Sequence, residues 1–177
     1  MKYYKYYVYA LIVFLLDQVT KWLIVHNIPL HENRPVIGEF FQLTSHRNRG
    51  AAFSILQDKR WFFVIITLVV ILGILWYIRK TIRENKRLLS FALSLLLGGA
   101  LGNFLDRALF GEVVDFLQFR FTFSFFGNPI DYIYPIFNVA DSAIVVGVIL
   151  IFLDSLLTWK KDKKGASHDH NHEQELS

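Results

Sequence analysis

Residues 61–107 read WFFVIITLVVILGILWYIRKTIRENKRLLSFALSLLLGGALGNFLDR, and the fold turns on this stretch. Trp61–Ile78 is apolar and carries no charge. A hydrocarbon core about 30 Å thick needs about 20 helical residues to cross it, so this run predicts a membrane span. Arg79–Arg87 follows, a short linker holding Arg79, Lys80, Arg83, Lys86 and Arg87, and Leu88–Leu105 is apolar again. Two spans joined by a basic turn form a helical hairpin, and the positive-inside rule puts the turn in the cytoplasm.

Working outward, Tyr6–Val25 and Val139–Leu157 are two further runs of spanning length. Tyr3, Tyr4, Trp61, Trp76 and Trp159 stand at the edges of the spans, as an interfacial aromatic belt does. Lys2 and Lys5 precede the first span, and Lys160, Lys161, Lys163 and Lys164 follow the fourth. The long connections His26–Arg60 and Arg107–Phe137 are poor in basic residues. Both termini are therefore expected in the cytoplasm and both long loops outside. No small-residue cleavage site follows the first run, which reads as a retained helix.

Composition narrows the chemistry. Of the 177 residues 54% are hydrophobic, gathered into the four runs, and none is cysteine. Disulfides, thiolate nucleophiles and thiolate metal sites are excluded. The net charge of +4 lies at the ends of apolar runs, so it marks topology and does not suggest nucleic acid. The outer loops have strand character at Val36–Thr44 and Val114–Phe123, where Leu117, Phe119, Phe121 and Phe123 alternate with Gln118, Arg120 and Thr122. The expected fold class is an all-α membrane protein, a four-helix bundle (residues 1–157) with a small extracytoplasmic β-sheet. Residues 158–177 are expected to form a disordered cytoplasmic tail, whose His168, His170 and His172 are solvated rather than metal-bound.

Ionisable groups within spans are costly, about 2.5–3.5 kcal/mol each at the centre, and point to function. Asp17 and Lys21 share a helical face, roughly 12 and 6 Å inside the outer end of the first span. They could form a structural ion pair or take a direct role. Asn103 and Arg107 share a face at the outer end of the third span, beside the small residues Gly98, Gly99, Ala100 and Gly102 that allow close helix packing. Asp141 lies one turn into the fourth span, on the face of Asn138, where a helix cap is one reading. Asp115 opens the second outer strand, and Asp154 near the cytoplasmic end is expected to face headgroups. The inner halves of all four spans read as apolar.

Taken together, Asp17, Lys21, Asn48, Asn103, Arg107, Asp115, Asn138 and Asp141 come from separate segments but share the outer-leaflet level. Two carboxylates meeting in a low-dielectric pocket cannot both ionise easily, so one keeps a proton. One can then activate water while the other protonates the substrate, with neither metal nor thiol.

The motifs Asp17-Gln18-Val19-Thr20-Lys21, Asn48-Arg49-Gly50-Ala51-Ala52-Phe53, Gly98 to Arg107, Val113-Val114-Asp115-Phe116 and Phe137-Asn138-Val139-Ala140-Asp141 resemble, in order, the signatures of lipoprotein signal peptidases. The resemblance runs from Lys5 to about Leu157. It implies an aspartic endopeptidase of the bacterial cytoplasmic membrane that cleaves prolipoproteins before a diacylglyceryl-modified cysteine, with membrane lipid as its surroundings and no cofactor or metal. It assigns catalysis to Asp115 and Asp141, gives Asn48, Asn103, Arg107 and Asn138 substrate-binding or dyad-supporting roles, and makes Asp17, Lys21 and Asp106 structural. The stretch Phe123–Pro135 departs from the family plan and is expected to alter the outer lid or sheet.

A small transporter or ion-relay subunit is the alternative, with Asp17, Lys21 and Asp141 as the relay; a relay would need polar residues across the whole membrane. A membrane scaffold leaves Asn103, Arg107 and Asp141 unexplained. A serine–lysine peptidase lacks a suitable outer pair, and a metalloprotease lacks its paired-histidine helix motif.

Overall fold

A computed structural model describes residues 3–50 and 59–175, with the side chains of 161, 162 and 164–175 left aside. In chain order the elements are α1 (Lys5–Asn27), β1 (Asn33–Ile37), β2 (Phe41–Asn48), α2 (Arg60–Arg83), α3 (Arg87–Phe110), β3 (Val113–Phe125), β4 (Asn128–Ile133) and α4 (Val139–Glu175). Four helical segments, Lys5–Asn27, Arg60–Arg83, Arg87–Phe110 and Val139–Lys160, are long and apolar enough to cross a membrane. Each of the first three exceeds its expected span at both ends, because polar residues at a helix end extend it without needing lipid.

α3 is the most enclosed helix and packs against the other three. Its glycines permit this. A Cβ added at Gly98 would lie 2.5 Å from the Ala10 carbonyl oxygen of α1, and one at Gly99 would lie 2.5 Å from that of Ala140 in α4. The core gathers Tyr6, Ala10, Ile71, Ile74, Ile78, Leu93 and Leu97. Outward, α2 exposes Ile65, Val69, Leu72 and Trp76 at 57–68%. Such a continuous apolar face calls for lipid as solvent.

Helix ends are closed by recognisable means. α3 stops at Gly111, whose φ of +77° suits a left-handed cap, with its N–H donating to the Arg107 carbonyl. Arg60 at the head of α2 donates to the same carbonyl at 2.9 Å and to that of Ala108. These bonds satisfy carbonyls that the helix itself leaves free.

The strands form one antiparallel sheet in the order β1-β2-β3-β4. The expected strand Val36–Thr44 is instead two, because Gly38 at φ +50° turns the chain between Ile37 and Phe41. The expected strand Val114–Phe123 is the body of β3, and the stretch after it folds back as β4 through a turn at Phe126-Gly127. α4 continues as helix to Glu175, since extending a formed helix adds one hydrogen bond per residue without a new nucleus.

The inner halves of the spans are not wholly apolar. Thr81, Ser90 and Ser94 are buried there, Ser90 bonding Thr81 at 3.0 Å and Ser94 the Phe91 carbonyl at 2.6 Å. Hydroxyls can return their hydrogen bonds to nearby backbone, so burial in a helix bundle is cheap. This set contains no ionisable group.

Candidate active site

Two connected polar clusters lie where α1, α3 and α4 meet the sheet. The first surrounds Lys21. Its ammonium pairs with Asp17 and Asp106, each at 2.8 Å, and donates to the Asn103 side-chain oxygen at 3.0 Å. Asp17, Lys21 and Asp106 are all nearly inaccessible. Gln18 closes the group, donating to Asp17 at 3.1 Å and Asp106 at 3.0 Å. Asp17 also accepts the Ala140 N–H at 2.9 Å, tying α1 to the start of α4. Gly102 leaves room for this carboxylate, since a side chain there would strike it.

The second cluster holds Asp115 and Asp141, and Asn138 bridges them. Its amide nitrogen donates to Asp115 at 2.8 Å. Its side-chain oxygen accepts the Asp141 N–H at 2.9 Å, while its own N–H donates to the Asp141 carboxylate at 3.2 Å. That reciprocal pair is a capping box in which Asp takes the usual place of Glu. The capping and catalytic readings of Asp141 are therefore compatible: one carboxylate oxygen caps the helix while the other accepts from Asn103 at 2.8 Å. Asn103 thus joins the clusters, receiving from Lys21 and giving to Asp141.

Asp115 is positioned by β3 and its neighbour. Antiparallel pairing sets it opposite His46, and Asn48, two residues on along β2, donates to it at 3.0 Å. A register shift between Leu43 and His46 breaks the regular pairing just before these residues. Asp115 is 2% exposed. Burial, and after it the Asp141 carboxylate, push its carboxyl up from 3.8 to about 7, against the opposing effects of Asn48, Lys21 and Asn138.

A cavity of about 920 Å³ opens over the pair. Asp115, Asp141, Asn48, Asn103 and Arg107 form its polar side, and Ile133, Ile136, Ile144 and Val145 are among its apolar lining. The Arg107 guanidinium lies 5.2 Å from the Phe63 ring centroid and donates to the Gly50 carbonyl at 3.3 Å. All eight residues expected at one level thus come together, in two linked groups. Ala51, Ala52 and Phe53, the rest of the second motif, lie outside the described residues.

A model of the family described as signal peptidase (SPase) II matches residues 9–157. The chain belongs to the signal peptidase II family. Among the relatives of this peptidase family, the lipoprotein signal peptidase of Bacillus pumilus (strain SAFR-032) is 54% identical, over 92% of this chain and 99% of its own length. That of Bacillus subtilis (strain 168) is 48% identical, over 90% and 97%. A solved bacterial membrane enzyme, determined by the in meso method at 2.3 Å, superposes with a TM-score of 0.75 at 40% identity, covering 90% of this chain and 91% of the other.

Within this signal peptidase II, two site features escaped sequence reading. Gln18 stood in a quoted motif but, being uncharged, gave no cost signal inside a span. His46 lines the cavity beside Asp115, 5.9 Å from the His31 ring. Burial, then His31 and Arg47, hold its imidazole below the ordinary value, so it stands as a neutral ring. Strand periodicity could have found it, since His46 shares a face with Asn48.

Proposed function

We propose that the chain is an aspartic endopeptidase that removes signal peptides from bacterial prolipoproteins, cutting before the diacylglyceryl-modified cysteine, with Asp115 and Asp141 as the catalytic pair. The observation that carries this reading is that Asn138 binds both carboxyls on one cavity while Asp115 is buried with a carboxyl near 7. Asp115 then keeps its proton up to about pH 7. Asp141, in the first turn of α4, is the base.

In the first step Asp141 takes a proton from water as its oxygen attacks the scissile carbonyl carbon, and Asp115 gives its proton to the carbonyl oxygen. In the second, the tetrahedral diol collapses: Asp115 takes back a hydroxyl proton as the C=O bond re-forms, the C–N bond breaks, and the leaving nitrogen takes the proton held by Asp141. Asn48, Asn103 and Asn138 fix the two carboxyls by the hydrogen bonds described. Arg107, with its charge on the cavity wall, suits a substrate carbonyl. The apolar side of the cavity suits the acyl chains of a lipid-modified substrate arriving from the bilayer. The basic linker Arg79–Arg87 supports cytoplasmic termini and a site at the outer leaflet.

The test is release of signal peptide from a diacylglyceryl-modified prolipoprotein by purified protein in lipid. Asp115→Asn and Asp141→Asn should each lower the rate by about 10²–10⁴-fold, the range for a lost acid–base group. The double variant should be little worse than either alone, because residues acting as one unit fail together. Full activity in either single variant, or abolition of activity by a metal chelator, refutes the dyad.

A further inference from the structure

The β3–β4 hairpin carries a surface that the folded chain leaves bare. Side chains alternate along β3, so Phe121, Phe123 and Phe125 share one face, with Tyr132 and Ile130 paired to the first two. Arg120, Thr122 and Ser124 belong to the other face. There Arg120 is held by Asp131 at 2.6 and 2.7 Å and by Glu39 at 3.1 Å. On the phenylalanine face Phe40 stands edge-on to Phe121 at 5.5 Å, yet Phe121, Phe123 and Phe125 remain 39–59% exposed among the described residues. From Phe121 to Ile130 there is no charged residue.

The tip is stranger still. Phe126 and Gly127 have φ of +49° and +79°, the left-handed pair of a two-residue hairpin turn. Such turns take Asn or Asp before Gly, because a bulky side chain is strained there. Phe126 bears that strain while remaining 90% exposed. Among the described residues its ring meets only that of the adjacent Phe125, 4.6 Å away, and turn chemistry does not account for a phenylalanine at this position.

We infer that the phenylalanine face and the Phe126 tip dip into the lipid interface at the site end of the bundle, making the β3–β4 hairpin a membrane-docking surface. Aromatic rings favour that zone, and the ten uncharged residues leave no charge to desolvate on entering it. The hairpin is also joined to surface that already faces lipid. Tyr132 and Tyr134 rim the same cavity as Val145 and Val146, which are 57% and 46% exposed on the membrane-crossing part of α4. In water, by contrast, the phenylalanine face would be an exposed apolar patch. Lipid contact at the tip would also steady the β4 residues that wall the cavity.

Because the chain has no cysteine, single-cysteine variants can be labelled without background. A nitroxide is attached to the full-length F126C and S124C proteins, reconstituted in vesicles of phosphatidylethanolamine and phosphatidylglycerol. Power saturation then compares collisions with oxygen, which concentrates in lipid, and with a water-soluble nickel chelate. Oxygen should dominate at F126C, with a lower oxygen-to-chelate ratio at S124C on the opposite face. Chelate dominance at F126C would put the tip in water, and low rates with both reagents would mean a protein partner or second copy covers it. Either result, or equal ratios at the two positions, overturns the inference. Depth is read without any cleavage assay, so the outcome is independent of the peptidase proposal.

Discussion

Raising the pH from 4 to 8 should cost the wild-type protein stability that the Asp115→Asn variant keeps. Asp115 is 2% exposed, and its carboxyl is raised from 3.8 to about 7. A group whose folded value lies above its unfolded one binds a proton more tightly in the folded state. Its contribution is fully present below about pH 4 and is lost as pH rises through about 7. A difference of about three units, at about 1.4 kcal/mol each, makes the loss roughly 4 kcal/mol. Asparagine is a near-isostere of the protonated acid and does not titrate in this window. The two proteins should therefore match near pH 4, and the variant should be the more stable at pH 8 by up to about 4 kcal/mol. Equilibrium unfolding in mixed micelles, followed by circular dichroism against added anionic detergent at several pH values, measures this difference directly. Comparing the two proteins cancels groups that titrate in both. Parallel stability curves, or a wild type that gains on the variant as pH rises, would refute the reasoning. The expected sign is that of a site holding a carboxyl against its own solvation so that it can carry a proton at neutral pH.

Two further outcomes test the supporting parts. Lys21→Met keeps the length of the side chain but leaves Asp17 and Asp106 buried without their cation, which should lower stability by about 3–5 kcal/mol in the same unfolding assay. Adding Asp17→Asn should recover part of that loss, and a silent Lys21→Met would mean the cluster is wetter than its burial indicates. For orientation, reporters fused within Arg79–Arg87 should behave as cytoplasmic and reporters at Pro129 as external; the reverse at either position removes the basis for an outer-leaflet site.

The sequence by itself determined the four spans. Lipid offers no hydrogen bonds, so a crossing segment must announce itself as a long apolar run, and the basic linker after Ile78 sets off the second span from the third. It also singled out Asp17, Lys21, Arg107 and Asp141, because an ionisable group in or beside such a run is conspicuous, and Asn103 as the residue one turn before Arg107 on the same face. Only the tertiary structure decided what these groups do to one another. It made Asp17 and Lys21 an ion pair that also engages Asp106 and, through Ala140, anchors α4. It gave Asn138 the bridge between the two carboxyls, and it brought in Gln18 and His46. It also divided Val36–Thr44 at Gly38. The physical reason is range. Apolar runs and strand alternation are local and repeat along the chain, whereas a hydrogen bond between Asn48 and Asp115 joins residues 67 apart in sequence, and no local pattern records it.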